Sequence, residues 1–112
     1  MKDQSIAVLS DITTHMKYAR HIHEIGRRET WDELCDRNVA MHIKRYPVLK
    51  DEIKQVYNQF VRTKRVLPSM RSLQFGGAPI ELTQSRIFNC AFMPLDHPAA
   101  FSEAMFLLLG GT

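Results

Sequence analysis

The sequence predicts a mixed α/β chain, in which a helical first part is followed by a part with strand, turn and buried-helix signals. A run that begins at Thr30 joins a helix-capping motif to apolar residues at helical spacing. Glycine and proline become frequent after Leu67, and residues 87–93 then have the composition of a short strand. We therefore divide the chain into an amino-terminal helical region, residues 1–66, and a second region, residues 67–112.

Length and composition are those of one small soluble domain. The chain has 112 residues, of which 45% are hydrophobic and 24% charged. Its first residues do not resemble a secretory signal, and its longest apolar run, residues 104–109, is too short to span a bilayer. We expect a cytoplasmic protein with no membrane partner. The two cysteines, Cys35 and Cys90, lack the spacing of a disulfide framework and are expected to be free thiols.

The formal net charge of +3 raises the question of a nucleic-acid partner. Basic residues are only weakly clustered, and the one uninterrupted patch is formed by Arg62, Lys64 and Arg65. No nucleic-acid-binding motif accompanies this patch. The sequence therefore favours a solvated or subunit-facing helix end over a nucleic-acid surface.

The first two helices are predicted from caps and periodicity. A helix from about residue 12 to residue 25 would begin at Asp11, which is a suitable cap. In the second helix, the Thr30 hydroxyl and the Glu33 carboxylate form a capping box, and the apolar pattern continues until Pro47 stops it.

A third helix follows Pro47 and carries one apolar stripe. Lysine and acidic residues occupy its opposite side, as in an amphipathic surface helix. The stripe consists of Leu49, Ile53, Val56, Tyr57, Phe60 and Val61.

The second region begins with turn signals and continues with a strand and a helix. The pair Gly76 and Gly77 permits a turn with positive φ. Residues 87–93 are interpreted as a largely buried strand that carries Phe88, Cys90 and Phe92 on one face. Asp96 would cap the last helix, residues 98–109.

This last helix is apolar on almost every side, so it needs cover on every side. The helices before it can cover only part of its surface, and a single strand leaves both of its edges unpaired. We therefore expect that other polypeptide completes the chain.

Several motifs resemble a known family when they are taken in order. They are residues 66–73, VLPSMRSL; residues 87–90, IFNC; residues 96–104, DHPAAFSEA; and residues 109–112, LGGT. Upstream, residues 27–31, RRETW, residues 36–38, DRN, and the pair Met41 and His42 fit the same pattern. Together they are similar to the opening of ribonucleotide reductase catalytic subunits, most closely to the adenosylcobalamin-dependent class, over about residues 10–112.

The resemblance implies a radical enzyme that replaces the 2′-hydroxyl of a ribonucleotide with hydrogen, built on a ten-stranded α/β barrel with helices outside. Residues 1–66 would form the family's amino-terminal helical layer, and residues 87–93 would form the first barrel strand. Cys90 matches the family's first redox cysteine. Ser69 and Asn89 match positions that contact substrate, although some relatives have a small hydroxyl residue in place of Asn89.

The resemblance also implies which parts lie after Thr112. These are the thiyl-radical cysteine, the second redox cysteine, the active-site glutamate and asparagine, the cobalamin-contacting segments and a terminal cysteine pair. The implied partners are a complementary carboxy-terminal reductase polypeptide, a ribonucleotide substrate, a deoxynucleotide effector and a thioredoxin-like reductant. An intein boundary, a natural gene split and a truncation each explain an end at Thr112.

Other interpretations of the same residues remain open. Without the resemblance, Cys90 is interpreted as a small buried apolar residue, and Cys35 keeps that interpretation in any case. His21, His23, Cys35 and His42 suggest zinc ligands by type, but their spacing fits no compact site. His97 is interpreted as a helix-entry residue. As a whole protein, the chain could instead be a small basic helical interaction module or a nucleic-acid binder.

Overall fold

The computed structural model describes residues 2–112, and these are mostly helical. The helices are α1 (Lys2–Lys17), α2 (Trp31–Arg45), α3 (Lys50–Val56), α4 (Met70–Phe75), α5 (Ala78–Leu82) and α6 (Ala100–Leu109). The sheet consists of two short antiparallel strands, β1 (His21–Ile22) and β2 (Arg27–Arg28), in which His21 lies opposite Arg28. None of the helices in this part of the chain combines the length and apolar composition that crossing a membrane requires.

The first helix differs from the prediction at both ends, because α1 spans Lys2–Lys17 and the chain then turns into the β1–β2 hairpin. Gly26, with φ of 63°, supplies the left-handed turn between the strands. Asp11 therefore lies within α1 and does not cap it; its carboxylate pairs with Lys64. Arg28 donates to the carbonyls of His15 and Ala19, which fastens the hairpin to the end of α1.

The second helix confirms the predicted capping box. The Glu33 amide donates to Thr30 Oγ1 at 3.3 Å, and the Thr30 amide donates to Glu33 Oε2 at 2.8 Å. The helix ends at Arg45, before Pro47, as predicted. The buried residues of α2 are Leu34, Cys35, Asn38, Val39 and Met41, so α2 forms the centre of the core.

The predicted amphipathic third helix is also present, as α3 followed directly by a π-helical turn, Tyr57–Val61. One face of this continuous element packs on α2. The core cluster consists of Cys35, Val39, Tyr57 and Val61, with Trp31, Ile43 and Ile53 packed against it. The Trp31 indole Nε1 donates to the Arg62 carbonyl at 3.0 Å, which joins the start of α2 to the end of the π-turn.

The turn predicted at Gly76 and Gly77 is present between α4 and α5, and Gly77 has φ of 97°. A Cβ atom on Gly76 would lie 2.7 Å from the Ser72 carbonyl oxygen, so only glycine fits at this close approach. Both α4 and α5 are short helices that were not predicted from the sequence.

The strand predicted at residues 87–93 is wrong. Residues 84–87 form a 3₁₀ turn, and the chain from Phe88 to Asp96 is neither helix nor strand. The expected burial is also absent, because Phe88 is 60% exposed and Phe92 is 98% exposed. A strand exists only when another backbone pairs with it, and no such backbone lies beside this segment in residues 2–112.

The last helix is confirmed, although it begins later than predicted, at Ala100. Asp96 does not cap it; Ala99 occupies the cap position without a side-chain hydrogen bond, and Asp96 pairs with His97 Nδ1 at 2.6 Å. Of the ten residues of α6, only Ala100 is buried. Its exposed large side chains are Phe101, Met105, Phe106, Leu108 and Leu109.

Candidate functional site

Helix α4 carries the first of the predicted site residues at its start. Ser69 is the N-cap, and its hydroxyl accepts a hydrogen bond from the Ser72 amide at 3.1 Å. The fully buried Asn38 of α2 donates from Nδ2 to the Ser72 carbonyl at 2.6 Å and to Ser72 Oγ at 2.9 Å. Tyr57 donates its hydroxyl proton to Asn38 Oδ1. The start of α4 is thereby fixed to α2 and to the π-turn.

Two arginines hold the other end of α4. Arg37 donates to the Gly76 carbonyl at 2.9 Å, and Arg20 donates to the Gln74 carbonyl at 3.4 Å. Arg37 is itself held by Glu29 through two parallel hydrogen bonds of 2.8 and 2.9 Å. Positive charge at a helix carboxyl end is favourable because the last carbonyl groups carry partial negative charge.

Glu29 is the acidic centre of this arrangement. Burial by itself opposes ionisation of the carboxyl group, but hydrogen bonds from the Arg37 side chain and the Arg20 amide outweigh it and lower the pKa of Glu29. For Arg20, burial and the nearby Arg37 charge lower the guanidinium pKa, and Glu29 partly offsets them. Glu29 is therefore ionised at neutral pH and keeps the two arginines together.

The structure connects Asn89, the second predicted site residue, to α4. Asn89 is exposed, and its Oδ1 accepts a hydrogen bond from Arg71 Nε at 2.8 Å. The Arg71 guanidinium also lies 5.4 Å from the centre of the Phe75 ring. Sequence reasoning missed Arg71, although it lies inside the motif of residues 66–73, two positions after Ser69.

Cys90, the predicted redox residue, directly follows Asn89 and is an exposed free thiol. Its predicted burial on a strand is therefore wrong. Cys35 is the opposite case, because it is fully buried in the core cluster, and burial raises the pKa of its thiol to about 11. The structure confirms the interpretation of Cys35 as a packing residue.

The basic patch of the sequence is largely paired within the chain. Arg62 forms ion pairs with Asp32, at 3.1 Å, and with Asp36. Lys64 Nζ lies 3.2 Å from the Asp11 carboxylate. Two of the three charges of the patch are therefore paired within the chain, while Arg65 is exposed.

The residues considered for zinc do not assemble into a site. The rings of His21 and His23 are 4.8 Å apart in the hairpin, whereas Cys35 and His42 lie on α2. Residues 2–112 contain no group of three or more His, Cys, Asp or Glu side chains that could hold a metal ion.

An open cavity of about 510 Å³ lies between the carboxyl end of α2 and α5. Its lining includes Met41, His42, Tyr46, Ile80 and Phe88. Burial lowers the pKa of His42. The volume of the cavity is in the range of small-molecule pockets.

The predicted site residues thus have a shared support but not a closed pocket. Ser69 caps α4, and Arg71 of α4 donates a hydrogen bond to Asn89. Cys90 is the next residue after Asn89. Comparison of the chain with models of protein families, with curated proteins and with solved structures gives no match. The likeness to ribonucleotide reductases therefore rests on the motifs of the sequence.

Proposed function

We propose that this chain is the amino-terminal part of an adenosylcobalamin-dependent ribonucleotide reductase, which reduces ribonucleotides to 2′-deoxyribonucleotides by thiyl-radical chemistry. Cys90 would supply one of the two reducing thiols, and Ser69 and Asn89 would contact the substrate. The observation that carries the proposal is the position of an accessible thiol, Cys90, directly after Asn89, which accepts a hydrogen bond from Arg71 of α4, the helix that Ser69 caps. These residues also lie in the motifs that resemble the family.

The reaction requires two electrons, and a pair of thiols can supply both. The substrate loses its 2′-hydroxyl as water and gains hydrogen at that carbon, while two thiols become one disulfide. Cys90 needs a second cysteine whose Cα atom comes within roughly 7 Å. Cys35 does not qualify, because it is buried in the core of the helical region. The second thiol is therefore assigned to the completing polypeptide, and a thioredoxin-like reductant would reduce the disulfide again.

Exposed apolar surface supports a need for this second polypeptide. Phe92 is 98% exposed, Phe106 is 75% exposed and Leu109 is 77% exposed. Helix α6 alone exposes five large apolar side chains, and large exposed apolar patches are typical of interaction sites. In the proposed complex, the completing polypeptide would cover α6 and the apolar residues before it, as part of the ten-stranded barrel that the resemblance implies.

The cofactor is assigned to the completing polypeptide, because the resemblance implies that the cobalamin-contacting segments follow Thr112. Bound adenosylcobalamin would supply the radical that activates a cysteine other than Cys90. The residues of this chain would bind the ribonucleotide and deliver reducing equivalents.

The test is reconstitution with the complementary carboxy-terminal reductase polypeptide. The mixture contains adenosylcobalamin, a ribonucleotide, a deoxynucleotide effector and a dithiol reductant, and deoxynucleotide formation is measured. We expect activity only when both polypeptides are present, and Cys90→Ser should reduce sustained turnover at least a hundredfold, as an order of magnitude for loss of an essential group. Cys35→Ala is the matched control and should retain turnover. Activity of the chain alone, or normal turnover with Cys90→Ser, would contradict the proposal.

A second arm of the experiment tests the cofactor. Omission of adenosylcobalamin should abolish activity, and a metal-carrying radical subunit should not replace it. If activity instead requires such a subunit and ignores cobalamin, the class assignment is wrong while the reductase assignment stands.

A further inference from the structure

Arg71 lies between the two structural parts of the candidate site. It belongs to α4, and its side chain reaches Asn89 in a stretch that is neither helix nor strand. In residues 2–112, the hydrogen bond from Arg71 Nε to Asn89 Oδ1 is the contact that ties the Asn89 side chain to a helix. The position of Asn89 therefore depends on where α4 places this guanidinium.

Helix α4, which carries Arg71, is held in place by side chains at both of its ends. Asn38 binds Ser72 in the first turn, and Arg37 binds the Gly76 carbonyl beyond the last turn. The Phe75 ring, 5.4 Å from the Arg71 guanidinium, restricts the side chain further. Because α4 is fixed by these contacts, Arg71 determines the position of Asn89, and Asn89 does not determine the position of Arg71.

The direction of the hydrogen bond determines what Asn89 can still bind. A primary amide has one carbonyl acceptor and two N–H donors. Arg71 binds the carbonyl oxygen of Asn89, and the Nδ2 group makes no hydrogen bond within residues 2–112, so both of its N–H groups are available to a ligand. An N–H group of this kind binds an oxygen acceptor, such as a ribose hydroxyl or a phosphate oxygen.

We infer that Arg71 is a positioning residue, which holds Asn89 so that its Nδ2 group donates a hydrogen bond to an oxygen atom of the bound ribonucleotide. The identity of the ligand rests on the proposed function, whereas the tether between Arg71 and Asn89 does not. Arg71 touches neither substrate nor Cys90 in this inference and acts only through Asn89.

Two substitutions distinguish the hydrogen bond between Arg71 and Asn89 from the donor function of the Asn89 Nδ2 group. Arg71→Met keeps an unbranched stem over Phe75 and removes the hydrogen bond, so Asn89 should become mobile. Asn89→Asp keeps an acceptor for Arg71, as a charged pair, but has no N–H group to offer. Arg65→Met makes the same chemical change at an exposed arginine outside α4 and serves as the control.

The measurements use the reconstituted complex of both polypeptides with ribonucleotide. Arg71→Met and Asn89→Asp should each raise KM about fivefold, the order expected for one hydrogen bond, with a smaller change in kcat. Hydrogen exchange, read by mass spectrometry of a peptide covering residues 87–93, should become faster with Arg71→Met and stay unchanged with Asn89→Asp. Arg71→Lys should raise KM less than Arg71→Met does. Arg65→Met should change neither KM nor the rate of hydrogen exchange.

The two measurements distinguish the possible failures. Unchanged exchange with Arg71→Met would overturn the tether, whatever the activity. Faster exchange with unchanged KM, or an unchanged KM with Asn89→Asp, would overturn the role of Asn89 as a donor to substrate. If the unmodified complex does not reduce ribonucleotides at all, the proposed function fails, the ligand assignment falls with it, and hydrogen exchange alone decides on the tether.

Discussion

Helix α2 and the segment from Phe88 to Leu109 are both rich in apolar residues, but α2 buries several of them and the segment buries only Ala100. Leu34 and Cys35 of α2 are fully buried, whereas Phe92 and Phe106 of the later segment are 98% and 75% exposed. The later segment has more apolar residues than α2, so the difference lies in their arrangement. A helix with one apolar stripe is covered by a single neighbouring helix, whereas a helix that is apolar on all sides needs several neighbours.

Polar contacts follow the same division. The packed region, which we define as α2, α3 with its π-turn, and α4, contains the network of Asn38, Tyr57 and Ser72 and the pair of Glu29 with Arg37 beside it. The apolar segment, residues 88–109, joins the rest of the chain through contacts such as that of Arg71 with Asn89. Buried polar networks specify one arrangement of helices, while exposed apolar surface specifies only that something must cover it.

The largest expected effect is on unfolding of the packed region. Leu34→Ala should lower the free energy of unfolding by about 2–5 kcal/mol, because it removes a fully buried side chain and leaves a cavity. Leu108→Ala, at a residue that is 66% exposed in α6, should cost less than about 0.5 kcal/mol and improve solubility. Urea unfolding followed by Trp31 fluorescence measures both. Equal costs would mean that the two regions are packed alike.

The reactivity of the two cysteines measures the same difference in burial between the two regions. Near neutral pH, N-ethylmaleimide should alkylate Cys90 at least about a hundredfold faster than Cys35, because only Cys90 is exposed and burial raises the pKa of the Cys35 thiol to about 11. Peptide mapping by mass spectrometry gives the two rates. The difference should disappear in concentrated urea, and similar rates without urea would show that the core is open.

The network at Asn38 should contribute less than the apolar core. Asn38→Ala removes the partner of the Tyr57 hydroxyl and of the Ser72 carbonyl, both within the packed region, and should cost about 1–3 kcal/mol. Tyr57→Phe removes only the hydroxyl donor and should cost less than Asn38→Ala. Combined in one variant, the two changes should cost less than the sum of the single changes, since they remove a shared hydrogen bond. Strict additivity in urea titrations would argue against the network.

The smallest expected effect is on the pH dependence of stability. Hydrogen bonds from Arg27 and the Thr30 amide lower the pKa of Glu33 to about 2, and the pKa of Glu29 is also lowered. A lowered folded-state pKa contributes stability above the unfolded value, about 4.3, which is lost as pH falls toward the folded value. Tm should therefore fall between about pH 5 and pH 2.

Substitution of each glutamate by glutamine tests how much of this fall in Tm at low pH comes from Glu33 and from Glu29. Glu33→Gln preserves a capping-box partner but removes the charge, so it should reduce the slope of Tm against pH. Glu29→Gln should reduce the slope as well and lower Tm at neutral pH, because Arg37 loses its charged partner. Glu24→Gln, at an exposed position of the hairpin, is the control. A slope that neither Glu33→Gln nor Glu29→Gln changes would place the pH dependence elsewhere.

The local parts of the fold could be predicted from the sequence. The capping box at Thr30 and the stop at Pro47 appear in the structure as expected. The apolar stripe of the third helix packs through Ile53, Tyr57 and Val61, whereas Leu49 and Val56 are exposed. The turn at Gly77 appears as well. Each depends on residues within about four positions of one another, since a helical hydrogen bond joins residue i to residue i−4. Such short-range patterns can be recognised in the order of residues alone.

The candidate site shows where sequence reasoning reaches its limit. Motifs indicated Ser69, Asn89 and Cys90, but nothing in their order indicated that Arg71 connects α4 to Asn89. The strand expected around Cys90 is absent because strand pairing depends on a distant backbone.

The sequence by itself determined that α2, α3 and α6 are helices and that Cys35 belongs to the core, but it did not indicate α4 and α5. The tertiary structure decided the contacts between residues far apart in the chain. It placed Asp11 against Lys64 and not at a helix start, and it joined Asn38 of α2 to Ser72 of α4. The physical reason is the range of the interactions: a cap acts within one turn, whereas burial and ion pairing depend on which surfaces meet when the whole chain has folded.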